Sequence, residues 1–264
     1  MDRRSTDGGG ENSAASNDKY ILSSLDGALT ILNLFFDHEE LNATEISKLL
    51  GMNRSSVFRT LVTLENRGYL TKDDTSRYRL GVKMLTLGQL AKSRMELPRL
   101  IHPFLEEITK ESSETSQLVL LEGRSAVFVD KAVSPSALKM DTPLGSSYPA
   151  HQTGGGKAML AFKDKAFIDT YIKKASFEPL TPHSMKDPAE LLRVLERVRK
   201  NGWAEDAEEA EIGLTCYGVP ILEENGDPIC AISISGPTTR MKANKDSHVA
   251  LLQEAAARIS RKLR

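Results

Sequence analysis

Cysteine is scarce in this chain. There are two in 264 residues, Cys216 and Cys230, and they form neither a metal-site spacing nor a disulfide framework. No apolar run approaches the ~20 residues needed to span a bilayer. The N-terminal stretch is polar and lacks the apolar core of a signal peptide. Neither sign of charge dominates: 35 Lys and Arg stand against 36 Asp and Glu, so any basic footprint has to be local. There is no internal repeat. These absences predict a cytoplasmic protein with reduced thiols, no cofactor and no structural metal. What remains, 40% hydrophobic and 27% charged residues, is ordinary for a globular protein. The length predicts about two domains.

The basic charge is concentrated in one place. From Thr44 to Leu80 there are seven Lys or Arg against four acids. Asn42 with Glu45 makes a capping box, Ile46, Leu49 and Leu50 repeat at helical spacing, and Gly51 ends that helix. Asn53 caps a second helix with Val57, Leu61 and Leu64 as its inner face, stopped by Gly68. Tyr69, Leu70, Tyr78 and Leu80 suit a hairpin turning at Asp73-Asp74-Thr75-Ser76. This is the pattern of a winged helix-turn-helix, which places its second helix in the DNA major groove. The candidate DNA-binding set is Thr44, Asn53, Arg54, Ser55, Ser56, Arg59 and Thr60, with Lys72, Arg77 and Arg79 in the wing. Arginine forks and hydroxyls at these places suit guanine edges and phosphates. The bland alternative is a solvated basic helix in a protein-binding module.

Four segments are predicted: a disordered tail over 1–19, the DNA-binding domain over 20–82, a linker helix over 83–97, and a sensor domain over 98–264. The tail is rich in Gly, Ser, Asn and Asp. A first helix starts near Ser23, with Asp26 in capping-box position and Leu25, Ala28, Leu32 and Phe35 as its buried stripe. The linker helix, Leu85 to Ser93, has an apolar edge of Leu87, Leu90 and Ala91 that packs on its own domain or on a second copy. A module this small usually works as a dimer on a two-part site.

The sensor domain reads as α+β, an antiparallel sheet flanked by helices. Helices are predicted near 98–111, 156–162, 165–173, 187–201 and 248–264. The 187–201 helix has Leu191, Leu192, Leu195 and Val198 inside. Strands are predicted over 116–121, 125–133, 138–141, 203–206, 214–220 and 229–235, with Asn225-Gly226-Asp227 turning the last pair. Consecutive glycines at 154–156 leave amides open at a helix start, which favours an anion. Ser233 and Ser235 share one face of a strand whose other face carries Ile232 and Ile234. Two inward hydroxyls need backbone partners or a polar ligand.

Rival chemistries fit less well. Ala158 follows Gly-Gly-Gly-Lys157, so the nucleotide P-loop spacing is missing. His151, Cys216 and Asp206 would make a metal-responsive regulator only if the fold gathers them. Ser233, His151 and Asp206 would make an enzyme with a DNA-binding appendage, yet nothing resembles a nucleophile elbow and no catalytic residue is assigned.

The chain resembles the isocitrate-lyase-regulator (IclR) family of bacterial transcription factors from about Ser24 onward. The resemblance rests on S-L-D-G-A-L-T-I-L-N-L-F (24–35), R-S-S-V-F-R-T-L (54–61), G-Y-L (68–70) and Y-R-L-G (78–81). In the second domain it rests on P-A-H-Q-T-G-G-G-K-A-M-L-A (149–161), L-T-C-Y-G-V-P-I (214–221) and A-I-S-I-S-G-P (231–237). It implies a winged helix-turn-helix, a linker helix and a GAF-like effector domain. It also implies homodimers or dimers of dimers on palindromic operators in double-stranded DNA, usually as repressors. The implied effector is a small organic or aromatic acid. Its carboxylate would be held at Gly154, Gly155, Asp206, Cys216, Ser233 and Ser235, with Leu138 and Met140 as apolar wall. One departure is Gly27, where the family often has Arg.

Overall fold

The computed structural model describes residues 20–263; the tail expected over 1–19 lies outside the described residues. The chain divides into two compact units, one ending at Ala91 and the other beginning at Lys92. The division falls inside helix α4 (Val82–Arg94), which overlaps the expected linker.

The first unit holds α1 (Ser23–Asn33), α2 (Ala43–Leu50), α3 (Arg54–Asn66) and the hairpin β1 (Leu70–Lys72) and β2 (Tyr78–Leu80). Asn42 accepts the amides of Thr44 and Glu45, and Glu45 accepts the amide of Asn42, so the capping box is closed. Gly51 then turns left-handed at φ 63°, a conformation in which any Cβ would be strained. Asn53 caps α3 through the Ser55 amide. Leu41 bridges to Tyr78 and ties the wing to the chain leading into α2. Ile31, Phe35, Ile46, Val57, Leu61, Leu64, Leu70 and Tyr78 form the core.

Three expectations for this unit fail. The first helix is capped by Leu22 with no side-chain bond, so Asp26 closes no capping box. Its buried side chain is Ile31, whereas Leu25 is exposed. Leu49 is exposed too, because a helix of eight residues turns only one narrow face inward.

The second unit is a six-stranded antiparallel sheet, ordered β5-β4-β3-β8-β7-β6. The strands are β3 (Thr115–Glu122), β4 (Ser125–Ala132), β5 (Ser147–Pro149), β6 (Ala204–Ala207), β7 (Leu214–Leu222) and β8 (Pro228–Pro237). Helices α5 (Glu96–Ser112), α9 (Thr238–Ala243) and α10 (Lys245–Lys262) belong to the core on one face, with Leu118, Tyr217, Val219, Ile232 and Ile234. Helices α6 (Gly154–Leu160), α7 (Lys165–Lys174) and α8 (Pro188–Asn201) belong to the core on the other, with Val119 and Ala231. The alternation along β8 therefore sends its isoleucines to one layer and its serines to the other. On α8, Leu192 is exposed, contrary to expectation.

The strand expected over 138–141 is irregular chain. Two of its carbonyls are taken by side chains instead of a ladder: Arg240 donates to Leu138 O at 2.8 Å and Thr115 to Met140 O at 2.6 Å. The outer edge of β4 is occupied by β5, which carries no sequence signal strong enough to announce it.

Candidate functional site

The first unit presents α3 with its inner face occupied by Val57, Leu61 and Leu64. Ser55 and Arg59 lie on the opposite face, both exposed. Ser56 and Thr60 turn toward α1, where they line a groove with Ser23, Ser24 and Arg59. Arg54 lies on the other flank, in a groove shared with Thr44 of α2 and Lys72 of the wing. Arg54 and Arg59 make no ion pair among the described residues.

The wing arginines differ. Arg77 meets Glu40 at 2.5 Å and Glu45 at 3.3 Å. Arg79 pairs with Glu40 as well, and lies 3.8 Å from Asp73. The Glu40 contact holds the Arg79 guanidinium above its ordinary range, so this charge is already compensated. Among the described residues Lys72 is left as the wing cation without a carboxylate, its ammonium 5.7 Å from the Tyr78 ring.

In the second unit the sheet register builds a polar row. Asp206 on β6 lies opposite Cys216 on β7, and Cys216 lies opposite Ser235 on β8. One step along, Gly218 on β7 faces Ser233 on β8, which faces Gln117 on β3. Gln117 was not foreseen, because it follows Glu114, Thr115 and Ser116 and reads as part of a polar strand start. It is fully buried, accepts the Ser235 hydroxyl at 2.7 Å and donates to Thr142 at 3.0 Å. A cavity of about 270 Å³ opens over this row. Gln117, Thr142, Thr153, Asp206, Thr215, Cys216 and Ser235 belong to its polar lining, with the carboxylates Asp141 and Glu211 beside them, and Phe128, Met140, Tyr148 and Leu214 to its apolar wall. Among the described residues no lysine or arginine lines it. Of the expected effector residues, Asp206, Cys216, Ser235 and Met140 come together here. Ser233 is buried beside them and does not line the cavity. Leu138 is exposed and stands apart from it.

The glycines have a packing reason that the sequence did not show. A Cβ on Gly155 would stand 2.9 Å from Val119, and one on Gly154 3.1 Å from the Cys216 sulfur. One on Gly218 would stand 2.5 Å from the Gly154 carbonyl carbon. Helix α6 thus lies backbone against backbone on β7. Within that segment only Thr153, which caps α6 through the Gly156 amide, lines the cavity.

Burial sets the electrostatics. Asp206 is pushed up to about 6 by burial, with the Lys157 charge opposing. Its Oδ1 accepts the Glu209 amide at 2.8 Å. The Cys216 thiol is pushed up to about 11 by burial and next by Asp206, so it is a neutral donor rather than a nucleophile. Lys157, fully buried, pairs with Glu209 below the site. His151 is held down to about 4 by burial, and its Nδ1 lies 2.7 Å from the Tyr171 hydroxyl. Among the described residues no group of three or more His, Cys, Asp or Glu is placed to hold a metal ion, so the His151 and Cys216 alternative finds no ligand set. No described helix is long and apolar enough to cross a membrane.

A winged helix-turn-helix with an exposed cationic face, joined to a unit with a polar-floored cavity, defines a DNA-binding regulator of transcription. The comparisons carry this to a family. The IclR helix-turn-helix domain matches residues 24–74, and the C-terminal domain of the bacterial transcriptional regulator IclR matches 89–261. The chain belongs to the IclR family of transcriptional regulators. It is 34% identical to the regulator KdgR of Dickeya chrysanthemi, over 87% of this chain and 76% of that one. It is 28% identical to the transcriptional repressor IclR of Escherichia coli K12, over 75% and 73%. The crystal structure of Thermotoga maritima IclR superposes with a TM-score of 0.69 at 32% identity, covering 91% and 98%. An IclR homologue from Microbacterium hydrocarbonoxydans, solved in complex with 4-hydroxybenzoate, shares the fold at a TM-score of 0.74 and 23% identity, covering 91% and 98%.

Proposed function

We propose that this regulator represses transcription from a palindromic operator, and that a small organic or aromatic acid entering the second unit's cavity changes its operator affinity. The observation that carries this reading is the cavity itself, with the Asp206–Cys216–Ser235 row at one end and an aromatic and aliphatic wall at the other. A carboxylate on the row meets the Cys216 thiol and the proton of a neutral Asp206, and takes the Ser235 hydroxyl proton by displacing its bond to Gln117. With no cation in the lining, that proton compensates the incoming charge, so binding takes up a proton and weakens above about pH 6. Gly154 and Gly155, which do not line the cavity, contribute by letting α6 lie close on β7 beside Thr153.

On the DNA side, Arg59 and Ser55 face the major groove. Arg54, Thr44, Asn53 and Lys72 flank it, and Ser56 and Thr60 adjoin the groove beside α1. Arg77 and Arg79 reach phosphate only by exchanging their carboxylate partners. Helix α4 buries no residue and exposes Val82, Leu85, Leu87 and Leu90, which supports a dimer formed through it. A ligand that prefers one arrangement of the dimer by about 1–3 kcal/mol changes operator affinity about 5- to 150-fold.

The test is Ser235→Ala, with small carboxylates screened by thermal shift and operator binding by anisotropy. Loss of the ligand response with DNA binding intact is expected. A full response, or loss of DNA binding, overturns the reading. Sedimentation of a 29.1 kDa species alone at micromolar concentration overturns the dimer.

A further inference from the structure

The recognition helix carries one residue that neither charge nor hydroxyl chemistry explains. Phe58 is 51% exposed on α3, one residue beyond the buried Val57 and one before Arg59. One residue is about 100° of helix, so the ring projects from the flank of the helix and not from its base. It lines a shallow groove of about 360 Å³ together with Arg54, Thr44, Lys72 and Tyr78. The hydrophobic core of this unit, from Ile31 to Tyr78, closes without it.

An exposed phenyl ring between two cations suits few partners. Among the described residues Arg54 and Lys72 make no ion pair, and the Lys72 ammonium lies over the Tyr78 ring. A second copy of this face would bring Arg54 and Lys72 against like charges. The matching surface is therefore polyanionic and offers an apolar point between its charges. Duplex DNA does this: in the major groove the thymine C5-methyl is the apolar group among the base edges, and phosphates run along both sides.

We propose that Phe58 is a base-reading residue that recognises thymine, its ring packing on the C5-methyl while Arg54 and Lys72 engage flanking phosphates. The proposal rests on the DNA-binding role of this unit and adds to it a base identity. It assigns part of the sequence specificity to an apolar contact, next to the arginines that read guanine edges or phosphate.

The thymine methyl can be removed alone, by substituting deoxyuridine. Duplexes are selected from a random pool with the purified full-length chain. Each thymine of the enriched sequence is then replaced in turn, and affinities are read by fluorescence anisotropy. The expected result is at least one thymine whose replacement weakens wild-type binding about fourfold, the worth of one buried methyl. Phe58→Ala should bind the thymine duplex correspondingly more weakly and no longer distinguish thymine from deoxyuridine there. Phe58→Leu should keep part of the distinction. Because the side chain is half exposed, both variants should melt with the wild type.

Wild-type binding that ignores every substitution overturns the proposal and leaves DNA binding standing. So does a Phe58→Ala variant that still discriminates. A pool in which nothing is enriched overturns the proposal and the DNA-binding role together.

Discussion

Asp206→Asn should make this protein more stable at neutral pH. The carboxyl is 7% exposed and titrates near 6 in the fold, against 3.8 for the free group, because burial outweighs the amides it accepts and the Lys157 charge. Between those values the folded state keeps a proton that the unfolded chain has released. Wild-type stability therefore falls as pH rises through this window and is level above about 6. The penalty works out at under about 1 kcal/mol at pH 4, about 2 at pH 5 and about 3 at pH 7.5. Asparagine carries no charge, and its amide oxygen can accept the same Glu209 amide that Asp206 Oδ1 accepts at 2.8 Å. Guanidinium unfolding of both proteins at the three pH values reads the difference directly, since effects common to both, such as His151, cancel. A variant more stable at pH 7.5 and nearly equal at pH 4 is expected. An Asp206→Asn protein destabilised by the same amount at every pH would refute the argument, because the carboxylate would then be a net stabilising group. The expected result would mark Asp206 as a residue whose cost is retained for binding.

Two further outcomes follow from other parts of the molecule. Glu40→Gln removes the carboxylate that compensates Arg79 and shares Arg77, so the slope of log affinity against log salt on nonspecific duplex should steepen by about 1; anisotropy titrations that leave it unchanged would show that these arginines point away from phosphate. Gly218→Ala puts a Cβ 2.5 Å from the Gly154 carbonyl carbon, where only backbone can give way, and should cost about 3 kcal/mol or more. An unchanged melting temperature for Gly218→Ala would mean that α6 does not lie on β7 as described.

The winged helix was legible because its signals are local. Asn42, Gly51 and Asn53 each act within a few residues of their own position, and caps are written in the sequence that needs them. The failures in the sheet and the wing share a physical origin, which is that partners distant in sequence decide. Leu138 to Asp141 looks like a strand, but the Leu138 and Met140 carbonyls go to Arg240 and Thr115. The charge of the wing was visible, but Glu40, more than thirty residues upstream, was not foreseen as its partner. The glycines at 154–156 were read through their open amides, while the structure shows them making room for Val119, Cys216 and Ala150. For the cavity, alternation placed Ser233 and Ser235 on one face. Only the β3–β8 register brings Gln117 onto Ser235, and register is a property of the assembled sheet.

The two borders of the six-stranded sheet have a consequence for how the protein tolerates crowding. β5 is three residues long and ends in Pro149, which has no amide hydrogen to offer. β6 is four residues long and carries Glu205 and Asp206. A border so short, interrupted by proline on one side and charged on the other, gives a foreign strand too few free backbone groups to align on. Along β5 and β6 the sheet therefore offers a poor template to a partly unfolded neighbour.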